Sequence, residues 1–488
     1  MENHLKKMPS PLLSLVPILV LVALLFVTIR TFGSNALNGG SQVVLLTATA
    51  VASALAMLFC KVKWAEIEKA ICNNILGVST ALIILLLIGA LSGSWMISGV
   101  VPTLIYYGMQ IIHPSFFLTS CCVICAVVSV MTGSSWTTIA TIGIALMGIG
   151  EAQGFATGWV AGAIISGAYF GDKVSPLSDT TVLASSVTHT PLFSHIRYMM
   201  YTTIPSMLIT LIIFTVAGLT HTAEATDQVA AFSESLKSSF HISLWLLLVP
   251  VATGILIAKR VPSLITLFVS AALAGVFALI FQPHLLQEIA GASVENASSL
   301  FNGLFQTFYG STQVETGNEA LNNLVSTRGM GGMMNTIWLI ICAMCFGGSM
   351  TASGMLESLT GVFLRFMKRR VGMVASTVMS GLFLNICTAD QYISIILTGN
   401  MFKEIYKKKG YESRLLSRTT EDSVTVTSVL IPWNTCGMTQ ATILGVATLT
   451  YLPYCFFNLI SPLMSITIAA IGYKIKQHHE EDQSIPVN

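Results

Sequence analysis

The stretch GDKVSPLSDTTVLASS, Gly171 to Ser186, decides the fold. It places Asp172, Lys173, Pro176, Asp179 and a run of hydroxyls inside a segment whose flanks read as membrane-spanning. Ionisable groups at that depth are costly and mark ion or substrate pathways. Gly171 and Pro176 loosen the helix, and Pro176 also removes a backbone donor. A helix broken at mid-membrane turns freed carbonyls, terminal dipoles and hydroxyls toward whatever is carried, which is a secondary-transporter arrangement.

Composition agrees. With 53% apolar and 9% charged residues, a soluble protein of 488 residues is excluded. The apolar runs are about 18 to 22 residues long, enough to cross the hydrocarbon core. A net charge of +2 gives no reason to expect nucleic acid. Most of the ten cysteines lie inside apolar runs and read as packed thiols. Cys342 and Cys345 form a C-x-x-C without a second pair or a histidine to complete a zinc site. The run from Pro11 to Ile29 is too long for a signal-peptide core and reads as a retained first span.

Working outward, full spans are expected at about 11–31, 42–60, 78–99, 156–190 and 196–220, with an apolar hairpin at about 115–150. A polar linker, 221–239, follows. The pattern then repeats at about 240–258, 262–282, 333–354, 412–447 and 451–473, with a hairpin at 371–402. Sliding the sequence by 255 pairs Gly93 with Gly348, Ser94 with Ser349, Ser98 with Ser353 and Gly99 with Gly354. At 256 Pro176 falls on Pro432, and at 257 Pro205 falls on Pro462.

Basic clusters occur at Lys6–Lys7, Lys61–Lys69, His195–Arg197, Lys259–Arg260, Arg365–Arg370, Lys403–Arg418 and Lys474–Lys476. Acidic or neutral loops occur at 31–41, 221–239 and 283–332. With five spans per half, every basic cluster falls on one side, which places both termini in the cytoplasm. Five is odd, so the second half sits upside down relative to the first. The expected fold is an all-α polytopic membrane protein of two inverted-topology repeats. These are residues 1–220 and 240–488, the second ending in a short cytoplasmic tail. Each has five transmembrane helices, one broken, plus a re-entrant hairpin. Each hairpin reads alternatively as a pair of full spans, which leaves the parity unchanged, but arms of about 16 residues give roughly 24 Å of helix, slightly short of a crossing. Their polar tips, Met131 to Trp136 and Cys387 to Tyr392, need burial in protein at that depth.

Length places the breaks. A straight helix from 156 to 190 would run about 52 Å against a core of roughly 30 Å. Its middle falls near Lys173, and that of 412–447 near Ile431-Pro-Trp-Asn-Thr-Cys-Gly437. Two hairpin tips and two broken helices are therefore expected to meet. Their inventory suits a small hard cation. Asp172, Asp179, Asp390, Asn434 and the hydroxyls of Thr132, Ser134, Ser135, Ser175, Ser178, Thr180, Thr388 and Thr435 are all oxygen ligands. A carboxylate that binds sodium also binds a proton, and the two compete. Asp179, Asp390 and Asn434 are the candidate sodium ligands, and Asp179 and Asp390 the candidate exchange groups.

Plainer roles stand beside these. Asp172 and Lys173, adjacent in the chain, read as a structural ion pair. Asp179 reads as a cap of the restarting helix. Glu421 and Asp422 follow Arg414 and Arg418 near the cytoplasmic end of a span and read as a solvated face, an ion pair or a gate, as does Lys173. His189 and His195, beside a basic loop, read as headgroup contacts rather than a proton relay. Trp136 and Trp433 read as packing that could also wall the site.

The runs ISGAYFGDKVSPLSDTTVLASS (165–186), TADQYI (388–393), SRTTEDSVTVTSV (417–429) and IPWNTCGM (431–438) resemble the NhaC-type sodium/proton antiporter family. The resemblance spans nearly the whole chain. It implies a bacterial cytoplasmic (inner) membrane exchanger of the larger ion-transporter superfamily, whose fold has two inverted repeats with hairpins and broken helices. It also implies sodium and protons as the transported species with no cofactor, and carries Asp172, Ser175, Asp179, Asp390 and Asn434 as ion-site residues. One branch couples malate uptake and lactate exit to these ions.

Two readings of one architecture remain: sodium/proton exchange, and sodium- and proton-coupled exchange of small carboxylic acids. The second wants an anion partner, which a free Lys173 would provide and a paired Lys173 would not. An intramembrane aspartyl protease using Asp172 and Asp390 lacks a supporting motif, and occluding hairpins argue against a channel. The amphipathic stretches Leu285–Ile289 and Leu300–Phe308 read equally as bilayer-surface elements or a homodimer contact.

Overall fold

The computed structural model describes residues 9–32, 39–220, 226–259, 261–291, 296–317, 321–322, 325–363 and 369–476. Lys6, Lys7, Arg260, Arg365, residues 221–225 of the linker and the tail from 477 lie outside the described residues. Among the described residues the chain is helical without strands, save one isolated bridge between Thr312 and Thr327.

The first half opens with α1 (Pro11–Phe32), α2 (Gly40–Phe59), α3 (Trp64–Gly77), α4 (Ser79–Ile97) and α5 (Val100–Ile111). A hairpin follows, with α6 (Phe117–Thr132) as its first arm. Its return arm is α7 (Ser135–Thr138), a π turn (Ile139–Gly143) and α8 (Ile144–Ala152). Then come α9 (Thr157–Val174), α10 (Asp179–Val187) and α11 (Leu192–Thr220). The linker holds α12 (Thr226–Ser239), and the second half holds α13 (Leu248–Ala258), α14 (Ser263–Phe281), α15 (Pro283–Ile289), α16 (Ala297–Tyr309), α17 (Gly329–Ala352) and α18 (Met355–Phe363). Its hairpin is α19 (Arg370–Thr388) and α20 (Gln391–Lys408). The chain closes with α21 (Ser413–Thr420), α22 (Thr435–Leu444), α23 (Thr448–Tyr451) and α24 (Phe456–Ile471).

Eight of the described helices are long and apolar enough to cross a membrane, or ten if each of two bent pairs counts as one span. Large apolar side chains such as Phe26, Leu58, Ile212, Val251 and Phe268 stand exposed on α1, α2, α11, α13 and α14. Water would not tolerate such a belt, and lipid requires it. The protein is a polytopic membrane protein. Three details differ from the sequence expectation. The linker 221–239 contains a helix, α12, whose end meets the following segment at 91°. First arms of 19 residues, Pro114–Thr132 and Arg370–Thr388, are long enough to span, where arms of about 16 were expected. An extra helix, α3, follows the Lys61–Lys63 turn, with a mostly exposed face.

The apolar core runs through both halves as one cluster, with a smaller one around Tyr198, Phe402, Tyr406 and Leu415. The most extensive packing is α6 on α9. A Cβ added at Gly167 would strike the carbonyl of Cys122, and one at Gly171 the carbonyl of Ala126 and the Ser129 side chain. Small residues let these backbones touch, as membrane helix pairs commonly require.

Local geometry recurs at a spacing of 256 residues. Gly133 and Ala389 turn the two hairpin tips in the left-handed region, with φ of 66° and 56°. For alanine that conformation costs about 1–2 kcal/mol. Ser134 and Asp390 then cap the return arms, accepting from the Thr137 and Ile393 amides at 3.2 and 3.0 Å. The Thr132 and Thr388 hydroxyls donate to the Ser134 and Asp390 carbonyls at 3.1 and 3.0 Å. Across each hairpin, Ser129 donates to the Ala168 carbonyl at 2.6 Å, and Asn385 to the Val424 carbonyl at 2.7 Å.

Candidate ion site

The segment from Thr157 stops at Val174 because Pro176 cannot continue it, and restarts at Asp179. Ser178 caps the restart, accepting from the Thr181 amide at 3.4 Å. Asp179 is therefore the first helical residue, not the cap, and it is exposed at the break. Ser175 donates to the Val130 carbonyl at 2.8 Å, tying the break to the first hairpin. Thr180 shares a hydrogen bond with Ser178 at 3.0 Å. Asp172, 5% exposed, accepts from the Ser135 hydroxyl at 2.7 Å. One carboxylate is thus held between a hairpin tip and a helix break.

The second half builds a counterpart. After α21 the backbone leaves α geometry as a π turn (Glu421–Thr425) and a 3-10 turn (Ser428–Leu430). Side chains satisfy the freed carbonyls, as burial at depth demands: Asn458 donates to Val426 O at 2.7 Å, and Tyr451 to Val429 O at 2.9 Å. Asn434 caps α22 through the Cys436 amide at 3.1 Å and donates to the Asn385 carbonyl at 3.1 Å. Trp433 donates to the Ile386 carbonyl at 2.9 Å, locking break to hairpin. Asp390, 1% exposed, accepts from Ile393 N with one oxygen and from the Thr435 hydroxyl with the other, at 3.0 Å each. A carboxylate offers about four lone-pair sites. Asp172 and Asp390 both keep capacity for a cation or a proton.

The structure thus joins Asp172 to Ser135, and Asp390 to Thr435 and Thr388. Tyr392 stands within electrostatic reach of Asp172, Asp179, Asp390 and Cys436, and so links the two halves. Among the described residues no hydrogen bond joins Asp179 to Asp390 or Asn434. Among the described residues no three acidic, histidine or cysteine side chains cluster as a metal site. A sodium ligand set here would mix carboxylate, hydroxyl and carbonyl oxygens.

The charged residues around the site require three corrections. Lys173 pairs with Asp422 rather than with its neighbour Asp172, and both are fully buried. Adjacent residues on a helix point about 100° apart, so Asp172 meets the hairpin while Lys173 turns the other way. Glu421 and Asp422 form no solvated face but sit fully buried in the π turn. His195 touches no headgroup. It is buried on α11, with its Nδ1 2.5 Å from Ser417 Oγ. His189, by contrast, is exposed.

The sequence reading also missed Arg418, fully buried with its Nε 3.8 Å from Asp422 and its guanidinium 4.7 Å over the Tyr198 ring. It missed Thr202 and Ser461 too, which donate to Asp422 at 3.1 and 3.4 Å. A signal was present. SRTTEDSVTVTS offers no wide apolar face, so a helix made of it inside the membrane has to be wrapped by protein.

The chain is similar to several known proteins. A family model described as "Na+/H+ antiporter family" matches residues 167–473. The Na(+)/H(+) antiporter NhaC of Bacillus subtilis is 36% identical over 410 residues, covering 84% of this chain and 87% of that one. The Malate-2H(+)/Na(+)-lactate antiporter of the same organism is 37% identical over 409 residues, covering 83% and 84%. The arginine/ornithine antiporter ArcD of Halobacterium salinarum is 34% identical over 481 residues, covering 98% and 95%.

Proposed function

The chain belongs to the Na+/H+ antiporter family, and on that premise we propose that it exchanges sodium for protons across the bacterial cytoplasmic membrane by alternating access. It is a transporter, not an enzyme, which removes the protease alternative.

The observation that carries the proposal is the pair of buried carboxylates, Asp172 and Asp390, each held by a hydroxyl across a hairpin–break junction. In this reading sodium and protons compete for these carboxylates. Asp179, exposed at the break, receives the ion from the open side, and Asn434 and Thr435 contribute oxygens from the second break. The 256-residue recurrence of tips, caps and breaks supports two repeats, 1–220 and 240–488. Five spans in each half, as the sequence pattern has them, would make the repeats inverted, with both termini cytoplasmic. Inversion presents one carboxylate junction from each side of the membrane, the symmetry that alternating access exploits.

A second reading, exchange of small organic acids or amino acids, is favoured by the malate/lactate and arginine/ornithine relatives and by a cavity. About 670 Å³ in volume, it is lined by Ser92, Glu151, Arg328, Thr336 and Thr442 and reaches α22. Its cationic partner would be Arg328, because Lys173 is engaged by Asp422.

Purified protein in sealed liposomes with an internal pH dye separates the two. Proton movement on sodium alone, abolished in Asp390→Asn, is the expected result. Silence until malate, lactate or arginine is added would establish the second reading instead.

A further inference from the structure

Behind the ion site lies a cluster of buried charge that the exchange scheme above leaves unused. Lys173 of α9, Arg418 of α21, and Glu421 and Asp422 of the π turn are all 0% exposed. Their hydrogen bonding is uneven. Asp422 accepts through Oδ1 from Lys173, Thr202 and Ser461, while its Oδ2 has no hydrogen-bond partner and lies 3.8 Å from Arg418 Nε. Both carboxyl oxygens of Glu421 are buried without a hydrogen-bond partner, as are all three guanidinium nitrogens of Arg418 and Nε2 of His195.

An ionised carboxylate left bare in a protein interior is strongly disfavoured, whereas a carboxylic acid tolerates the same place far better. The charges acting on Glu421 are Lys173 and Asp172 from α9 and Asp422 beside it. His195 of α11 feels the same Lys173, and Arg418 stands one turn away on the chain. With Glu421 ionised the four charges sum to zero, and with it protonated the cluster carries one positive charge. That state disfavours a second cation nearby. Asp172, which also acts on Glu421, connects the cluster to the ion site. The π turn that carries Glu421 is an irregularity of the kind that gathers at functional sites.

We propose that Glu421 is a proton-binding site of the transport cycle, separate from Asp172 and Asp390, and that it carries one of the exchanged protons. The proposal rests on the antiport reading. A proton at Glu421 repels sodium from the neighbouring Asp172 junction, and sodium there favours proton release from Glu421, so the two loads alternate. The exchange then moves one proton more per sodium than competition at the ion site alone would give.

The test uses the full chain in liposomes, with membrane potential clamped. Two quantities are read: exchange of radioactive for unlabelled sodium, and the pH difference that just balances a fixed sodium gradient. In Glu421→Gln, neutral like the protonated acid, sodium–sodium exchange persists at saturating sodium with a lowered sodium affinity, and the balancing pH difference rises as the proton count per sodium falls by one. An unchanged balance point overturns the proposal while leaving antiport intact. Loss of sodium–sodium exchange in a folded variant also overturns it, by placing Glu421 in the sodium site itself. Absence of sodium-driven proton movement in the wild-type protein overturns the antiport reading and this proposal together. Should the glutamine variant not fold, Glu421→Asp decides: a moved pH midpoint of exchange supports the assignment, and an unmoved one refutes it.

Discussion

Removing one member of the Lys173–Asp422 pair should destabilise the protein unequally, according to which member goes. Breaking a fully buried ion pair typically costs about 3–5 kcal/mol, because the remaining charge is left without compensation. Lys173→Met leaves Asp422 with Arg418 at 3.8 Å and with the Thr202 and Ser461 hydroxyls, so the loss falls near the lower end, about 3 kcal/mol. Asp422→Asn strands two cations at once, Lys173 and Arg418. Ser461 at 3.1 Å and the Phe457 ring at 5.7 Å give Lys173 only partial relief, so this loss lies near the upper end, about 5 kcal/mol. The double variant Lys173→Met/Asp422→Asn removes both members and leaves Arg418 alone to be accommodated. It should cost less than the two single losses added together, about 5–6 kcal/mol against about 8, a coupling energy of about 2–3 kcal/mol across the cycle. Equilibrium unfolding in mixed micelles, followed by tryptophan fluorescence, gives all four stabilities. Additivity within about 0.5 kcal/mol, or a lysine variant that costs more than the aspartate variant, would refute this account of the pair.

Other expectations are simpler. Asp390→Asn keeps the cap of α20, since asparagine caps as well as aspartate, so thermal stability stays near wild type. Its sodium affinity, read by isotope binding, falls by about a thousandfold, from losing roughly 4 kcal/mol of charge attraction at about 4 Å. Ser135→Ala deprives Asp172 of its 2.7 Å donor and should cost about 1–3 kcal/mol in unfolding experiments, with transport retained at reduced rate. Gly171→Val drives a side chain into the backbone of α6 at Ala126 and Val130, which cannot swing aside. A loss of about 3 kcal/mol or more, seen as poor recovery of folded protein in size-exclusion chromatography, is expected.

The breaks were legible because they obey local rules: Pro176 and Pro432 forbid a continuous helix, and the segments around them exceed the membrane's thickness. The hairpin turns were legible from polar tips between apolar arms. So were the hydroxyls at the caps, for Ser134 and Thr388 stand where a turn needs them. What escaped was anything set by how helices rotate against one another. Asp172 and Lys173 are neighbours in sequence, and only packing shows that they face opposite ways. Arg418 looked like part of a cytoplasmic basic loop because its burial depends on α11 and its Tyr198, more than two hundred residues away. The left-handed Ala389 was equally invisible, since no local rule prefers alanine there, and only the counterpart Gly133 hints at it.

The central claim is that Asp172 and Asp390 bind the exchanged ions. Sodium-driven proton movement in sealed liposomes, compared among wild type, Asp172→Asn, Asp390→Asn and the surface control Lys403→Gln, tests it most directly. The account predicts exchange in the wild type and the control, and its loss in both aspartate variants while they remain folded. Exchange surviving in either folded aspartate variant at the wild-type rate and sodium dependence would contradict it.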